Sequence, residues 1–418
     1  MTEVINQRRI RTIDAALRQR ARSVIPGGMY GHLSANALPP EYPQFYQRSK
    51  GAHVWDVDGN EYVDLMCSFG PVILGHKHPK VEQAVAAQLA RGDTQSGPAA
   101  CMVEAAELLV DRVTHADWAM FAKNGTDATT ICLMVARAAT GRSKVLAAAG
   151  AYHGATPWFT LRPDGVTPED RANFAYYQFN DIASVERAVG VAGGDVAAII
   201  VSPFKHDAGS DQELVSPDFA RQLRALCDRI GAALVMDEVR AGFRLNDGGS
   251  WEPIGVAPDL SAWSKAIGNG YPLAAVLGSA KYSDAATRIF VTGSFWFQAV
   301  PMAAGIATIT AIREEGAIRT MERMGALLRE GIESLALEAG IGIRQTGPVQ
   351  MPNLRFIGDE NFARSSAFSG AVADRGVIVH PRHNWFLSAA HTEGDIERAL
   401  DAMREGFQVV REQFGEDN

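Results

Sequence analysis

The chain has 418 residues, 47% hydrophobic and 21% charged, which is the profile of a soluble globular protein too long for one ordinary core. Its net charge of −8, with no long basic run, argues against nucleic acid or an anionic membrane as partner. No apolar run reaches the roughly 18 residues of a membrane span, and the polar start MTEVINQRRIRTIDAALRQRARSV lacks the apolar core of a signal peptide, so a cytoplasmic location is expected.

In chain order, residues 6–24 read as an amphipathic helix that stops at Pro26-Gly27-Gly28. AHVWDVDGNEYVDL, 52–65, alternates like a hairpin whose turn, Asp58-Gly59-Asn60, supplies residues that tolerate positive φ. HPKVEQAVAAQLARG, 78–92, reads as a helix ending at a glycine. From about residue 99, helical segments alternate with short apolar runs at 118–123, 144–150, 196–203, 232–239, 259–265 and 274–280. This alternation predicts an α/β fold with a mostly parallel sheet covered on both faces. Turn-rich text at 289–297 precedes a helix-rich stretch, 302–338, short alternating segments at 341–357 and 376–389, and a last helix over 394–414. A large domain over 55–310 and a smaller α+β domain formed by 1–54 and 311–418 are expected.

The four cysteines, Cys67, Cys101, Cys132 and Cys227, are far apart and form no C-x-x-C, which disfavours zinc ribbons and disulfide scaffolds and suits a reducing compartment. No H-E-x-x-H occurs, so no metal is expected. No G-x-G-x-x-G opens a helix after the first strand of the sheet, which argues against a nicotinamide enzyme.

Ligands of such sheets bind at the C-terminal strand ends. After the first run stands Lys123-Asn124-Gly125-Thr126-Asp127, an anion cradle at a helix N-terminus or an ordinary turn and cap. After the second stands Tyr152-His153-Gly154, where the tyrosine is a stacking platform or core filler. Asp237 ends a run expected to be buried; it either pairs with Arg240 or Arg244, or holds a pyridinium N–H, with Val239 on the same side. In SAWSKAIGNGYPLAAVLG, 261–278, Lys265 stands among small and apolar residues, where it is either a loop lysine reaching water or a desolvated nucleophile. An anion anchor, a stacker, a buried carboxylate and an isolated amine, in order at successive strand ends, are what pyridoxal 5′-phosphate needs.

With these pieces in order, the sequence resembles the class III aminotransferases, pyridoxal-phosphate enzymes of fold type I. The resemblance runs from about Pro26 to the last helix and rests on PGG (26–28), GPVILGHKHP (70–79), KNGTDATTICLMVARAATGR (123–142), YHGA (152–155), MDEVRAGFR (236–244), PDLSAWSKAIGNGYPLAAVLG (258–278) and LSAAHT (387–392). It is nearest the branch of glutamate-1-semialdehyde aminomutases and bacterial amine:pyruvate transaminases, including those of fumonisin aminopentol type. It implies a large domain with a seven-stranded, mostly parallel sheet. It also implies that Lys265 forms the Schiff base and moves the proton, Asp237 pairs with the ring nitrogen, Tyr152 and Val239 cover the two ring faces, and His153 supports the stack. Gly125 and Thr126 would hold the phosphate, and Ser294 would reach the phosphate of a neighbouring subunit in a homodimer with shared sites.

Two departures bear on the substrate. The aminomutase arginine that follows PGG is replaced by Ser34, and the aminomutase glutamate before the F-V-S-S-A-H-T motif is matched by His383. The family's Glu-Pro after the long apolar strand is Ser202-Pro203. The expected reaction is therefore amino transfer from a bulky or long-chain primary amine without an α-carboxylate to a keto acid such as pyruvate, with 2,1-aminomutase as the alternative. Tyr30, Phe69, Trp158 and Trp296 are the candidate substrate residues. Arg382, and after it Arg240, are the candidates for the keto-acid carboxylate.

Overall fold

The computed structural model describes residues 9–416. The strands are β1 (Tyr46–Lys50), β2 (His53–Asp56), β3 (Glu61–Asp64), β4 (Trp118–Ala122), β5 (Lys144–Ala148), β6 (Phe174–Tyr177), β7 (Val196–Val201), β8 (Phe204–Lys205), β9 (Glu213–Leu214), β10 (Ala233–Asp237), β11 (Leu260–Trp263), β12 (Ala274–Gly278), β13 (Ile343–Thr346), β14 (Asn353–Phe356) and β15 (Val377–Ile378). The helices used below are α1 (Thr12–Val24), α2 (Gly125–Thr140), α3 (Ile182–Val191), α4 (Pro217–Ile230), α5 (Ala299–Glu314) and α6 (Glu393–Phe414). Two compact units form: residues 1–69, 75–78 and 319–418, and residues 70–74 and 79–318. These borders fall at 69 and 318, against 55 and 310 from the sequence.

In the first unit, β1, β2 and β3 make an antiparallel sheet extended by β15, parallel to β3. The turn between β2 and β3 contains Gly59 at φ 88°. The Asp56 carboxylate accepts the N–H of Asp58 at 3.0 Å and of Asn60 at 2.8 Å, which pins that turn. Asp58 in turn accepts the N–H of Ile13 at 2.8 Å and of Asp14 at 2.9 Å. A carboxylate on the first free N–H groups stabilises a helix start, so α1 begins at Thr12 rather than at residue 6; residues 6–8 lie outside the described ones.

In the second unit, seven strands lie in the order β4-β12-β11-β10-β7-β5-β6. Only β12 runs against its neighbours, between β11 and β4. Adjacent residues alternate between two cores, as a sheet covered on both faces requires. Val145, Ala147, Ala198, Ile200, Ala233 and Val235 pack beneath Ile131, Cys132 and Val135 of α2. Leu146, Ile199, Val201, Leu234 and Met236 face Val185 of α3 and Phe219 and Leu223 of α4. Each Val, Leu, Ile, Met or Phe among these contributes about 1.5–3 kcal/mol on burial. The six apolar runs are β4, β5, β7, β10, β11 and β12; the edge strand β6, FAYY, carries too little buried surface to stand out as a run. Among the described residues no helix is long and apolar enough to cross a membrane.

Candidate active site

A cavity of about 370 Å³ opens at the C-terminal ends of the parallel strands of the second unit. Gly125, Thr126, Tyr152, His153, Asp237, Val239 and Lys265 all line it.

The cradle forms where β4 ends and α2 begins. Asn124 is the N-cap, and the Asp127 carboxylate accepts its backbone N–H at 2.9 Å. A Cβ on Gly125 would lie 2.6 Å from Val239 Cγ1, so only glycine lets Val239 sit over the helix start. Gly154, at φ 122°, approaches Thr126 so closely that a Cβ would lie 3.0 Å from its Cα. The Thr126 hydroxyl accepts from Ala155 N–H at 3.0 Å, which leaves its own proton to donate into the cavity.

Asp237 is buried and fully engaged on its protein side. Oδ1 accepts from Val239 N–H at 3.0 Å, and Oδ2 lies 2.7 Å from His153 Nδ1. Thr129 Oγ1 donates to the main-chain carbonyl of His153 at 2.7 Å, which fixes the backbone there, and the imidazole meets the Phe159 ring edge-on at 5.0 Å. His153 thus holds the carboxylate, whereas the resemblance assigned it to support of the stack. Tyr152, 39% exposed, stands at the cavity wall. Its hydroxyl is pushed up first by burial and then by the Asp237 charge.

Lys265 follows β11 and has a left-handed backbone, φ 49°, a conformation that costs a non-glycine residue about 1–3 kcal/mol. The loop that carries it is tied on both sides. Ser264 Oγ donates to Leu273 O at 2.9 Å, and Asn269 Oδ1 accepts from Leu74 N–H at 2.9 Å. Desolvation by the surrounding protein, then the Arg240 charge, push the Lys265 amine down to about 7, against the opposing pull of Asp237.

Arg240, buried on the same cavity, donates Nη1–H to the His206 carbonyl at 3.2 Å. His206 also lines the cavity, and burial pushes its imidazole well below its ordinary value. His206 belongs to no motif of the sequence, although it closely follows β7 and so satisfies the same strand-end criterion. Lys123, quoted only as part of the cradle text, lines the cavity too.

Trp158, Trp296 and Ser294 stand elsewhere in the second unit. Trp158 stacks on Phe174 with ring centroids 6.0 Å apart, and Trp296 packs over Gly293; both lean on the core under α2 and do not line the cavity. Ser294 is exposed and does not line it either. Tyr30, Phe69 and Arg382 belong to the first unit. Tyr30 is 73% exposed. Phe69 ends three successive left-handed residues, Cys67, Ser68 and Phe69 (φ 45°, 55° and 62°), and stacks on His32 at 5.3 Å. His383 meets Phe69 edge-on at 5.3 Å. Arg382 is exposed, its guanidinium 5.1 Å over the Phe362 ring.

The cavity thus joins a cradle with no room for a Cβ, a hydroxyl with a proton to give, a tyrosine wall, a held carboxylate and an amine close to neutrality. That donor set fits pyridoxal phosphate. The comparisons agree. The model of the class-III aminotransferase family matches residues 37–393. An aminopentol aminotransferase of Sphingopyxis macrogoltabida is 50% identical over 95% of this chain and 94% of its own length. A glutamate-1-semialdehyde 2,1-aminomutase of Roseiflexus castenholzii is 34% identical over 94% of this chain and 96% of its own. The structure of the PLP internal aldimine form of the Sphingopyxis sp. MTA144 FumI protein superposes with a TM-score of 0.95 at 49% identity, covering 97% of this chain and 98% of that one. An omega-transaminase from Sphaerobacter thermophilus reaches a TM-score of 0.86 at 27% identity, over 95% of this chain and 98% of its own. The chain belongs to the class III aminotransferases and is a pyridoxal-phosphate-dependent enzyme of fold type I.

Proposed function

We propose that the enzyme transfers an amino group from a bulky or long-chain primary amine, lacking an α-carboxylate, to a keto acid such as pyruvate. The observation that carries the chemistry is the single cavity shared by Lys265, with its amine near neutrality, and Asp237, held by His153. Ser34 and His383, at the positions of the aminomutase arginine and glutamate, support the amine-donor reading, as does the 50% identity to an aminopentol aminotransferase.

In this reading pyridoxal phosphate, when bound, supplies the electron sink for the electrons released at the α-carbon. Asp237, ionised, holds a proton on the ring nitrogen, and His153 keeps the carboxylate aimed. Lys265 Nζ is the covalent attachment point and, once free, the base that takes the donor's α-proton. Tyr152 and Val239 cover the ring faces, and the Gly125 and Thr126 N–H groups hold the phosphate at the start of α2. Arg240, rather than Arg382, binds the keto-acid carboxylate, because it lines the cavity with Lys265. Phe69, fixed on its left-handed turn, remains a candidate for the amine's apolar part.

The reading includes a homodimer. Phe290 is 87% exposed, and Ser294, Phe295 and Phe297 of the same segment are exposed as well. An apolar stretch of this kind calls for a partner surface, and a second copy, receiving Ser294 at its phosphate, supplies one. The four buried free thiols suit a cytoplasmic location.

The test is a visible spectrum of the purified holoenzyme. A carboxylate-free primary amine should bleach the yellow band, and pyruvate should restore it. A band that responds only to glutamate-1-semialdehyde or a diamino acid would establish the aminomutase instead.

A further inference from the structure

His206 lines the catalytic cavity and is 6% exposed. Its ring packs edge-on against Phe204, centroids 5.1 Å apart, and no other described residue hydrogen-bonds to it. No nitrogen of the ring is sealed from solvent without a partner, as Nε2 of His153 is, so the imidazole keeps a polar atom open. The other cavity at which His206 stands has only about 20 Å³, room for about one water. A ligand group therefore meets the imidazole from the catalytic side.

The sheet and one hydrogen bond fix where that imidazole lies. The strands run β4, β12, β11, β10, β7 across the sheet. The cradle follows β4, Lys265 follows β11, Asp237 ends β10 and His206 follows β7. Val201 and Met236 are register partners, which sets the ends of β7 and β10 side by side. Arg240 Nη1–H donates to the His206 carbonyl at 3.2 Å and so ties the loop after β7 to the turn after Asp237. His206 thus stands on the side of Lys265 and Asp237 away from the cradle. Pyridoxal phosphate has a matching asymmetry: its phosphate arm and its 3-hydroxyl flank the aldehyde carbon on opposite sides, and the ring nitrogen lies across the ring from that carbon. With the nitrogen at Asp237, the aldehyde at Lys265 and the arm at the cradle, the hydroxyl edge faces β7.

We propose that His206 is a cofactor-binding residue whose imidazole donates a hydrogen bond to the 3-oxygen of pyridoxal phosphate. The proposal rests on the reading above in which Asp237 takes the ring nitrogen and Gly125 and Thr126 the phosphate. Burial, and after it the Arg240 charge, keep the imidazole neutral, so it brings one N–H and no net charge. A donor to this oxygen stabilises it as a phenolate and loosens its hold on the proton of the Schiff-base nitrogen. His206 thereby makes that proton easier to lose.

Two measurements on the full-length enzyme test this. The first is the dissociation constants of pyridoxal phosphate and of 3-deoxypyridoxal phosphate, which lacks that hydroxyl, for cofactor-free wild type, His206→Leu and His206→Asn. The second is the pH titration of the yellow band of each holoenzyme. His206→Leu is expected to weaken pyridoxal phosphate about 10- to 100-fold, the range for one hydrogen bond to a charged group, and to leave the deoxy analogue unchanged. The midpoint of its titration should rise by about one to two pH units, the same factor in proton affinity. His206→Asn, which can still donate, should keep part of both. If His206→Leu does not fold, His206→Phe takes its place under the same criteria. Equal losses for the two ligands overturn the proposal, since the ring then merely packs. A raised KM for amine or keto acid with both readouts unmoved overturns it by giving His206 to the substrate. A hydroxyl-specific loss in Arg240→Met but not in His206→Leu overturns it by giving the oxygen to Arg240. If Asp237→Ala leaves affinity and midpoint unchanged, the ring is not placed as read and the proposal falls with that reading. Neither readout involves an amine or keto acid, so the substrate reading can fail without touching the proposal.

Discussion

His153 Nδ1 and Asp237 Oδ2 lie 2.7 Å apart, both side chains buried, and this is the imidazole's one hydrogen bond, its Nε2 being buried without a partner. The imidazole is therefore a positioning residue for the carboxylate. His153→Ala is expected to lower kcat about 10- to 100-fold, the worth of one hydrogen bond to a charged group, with little change in KM for the amine. His153→Asn, whose amide can donate from nearly the same place, should recover part of the loss. A KM effect without a kcat effect would assign the histidine to packing alone.

The Lys265 amine is pushed down to about 7, so it is mostly protonated below that pH and mostly neutral above it. Only the neutral amine attacks an aldehyde. Recapture of pyridoxal phosphate by the cofactor-free enzyme should accelerate as pH rises and level off above about 8, with a midpoint near 7. A midpoint near 10, the value of an ordinary lysine, would contradict the desolvated environment. Lys265→Ala should abolish turnover and leave no covalently held cofactor after borohydride reduction.

Arg240 lines the cavity with Lys265, whereas Arg382 lies exposed against Phe362. Arg240→Met is expected to raise KM for pyruvate about 10- to 100-fold, the range for a charge-assisted contact, and KM for the amine far less. Arg382→Ala should leave both unchanged. Steady-state kinetics with each substrate varied in turn decides between the two arginines.

Glu238 turns away from the chemistry: its carboxylate accepts from Ser250 N–H at 2.7 Å and from the Ser250 hydroxyl. Burial, opposed by these bonds, pushes it up to about 7. An acid with a raised folded-state value binds more protons folded than unfolded, so its contribution to stability falls as pH rises from about 4.5 to about 7. Glu238→Gln removes that titration. The Tm of the variant should gain on the wild type through this window and run parallel to it above pH 7. Parallel curves throughout would show that folding leaves the Glu238 carboxyl at its ordinary value.

The strands were legible because a strand of a sheet covered on both faces is apolar along its length, and six such runs stand out. β6 did not, since an edge strand needs no such run. The start of α1 depends on Asp58, 45 residues away in sequence from Ile13, which local periodicity does not register. At the site, strand ends indicated Gly125, Tyr152, Asp237 and Lys265 as a set, because that placement depends on topology. Partner choice did not follow: Asp237 could have turned to Arg240 or Arg244, and only the path after β5 brings His153 to it. Tryptophans carry no positional signal of this kind. Trp158 and Trp296 read equally well as pocket wall or core, and they lie in packing.

The reversed strand β12 has one more consequence. Its first two residues, Ala274 and Ala275, are register partners of Ala122 and Trp263, which end the strands leading to the cradle and to Lys265. Two adjacent rungs therefore gauge the span between anion anchor and amine, as the jaws of a caliper are set by one screw. A one-residue slip of β12 would turn its side chains over and reset that span. The loop 268–273 lies outside these rungs and can change its text without moving either jaw, except at Asn269, whose side chain ties it to Leu74, and at Gly270, with φ 100°. Directed evolution toward new amines should therefore collect its tolerated changes in that loop and in 204–212, and almost none at Ala122, Ala274 or Ala275.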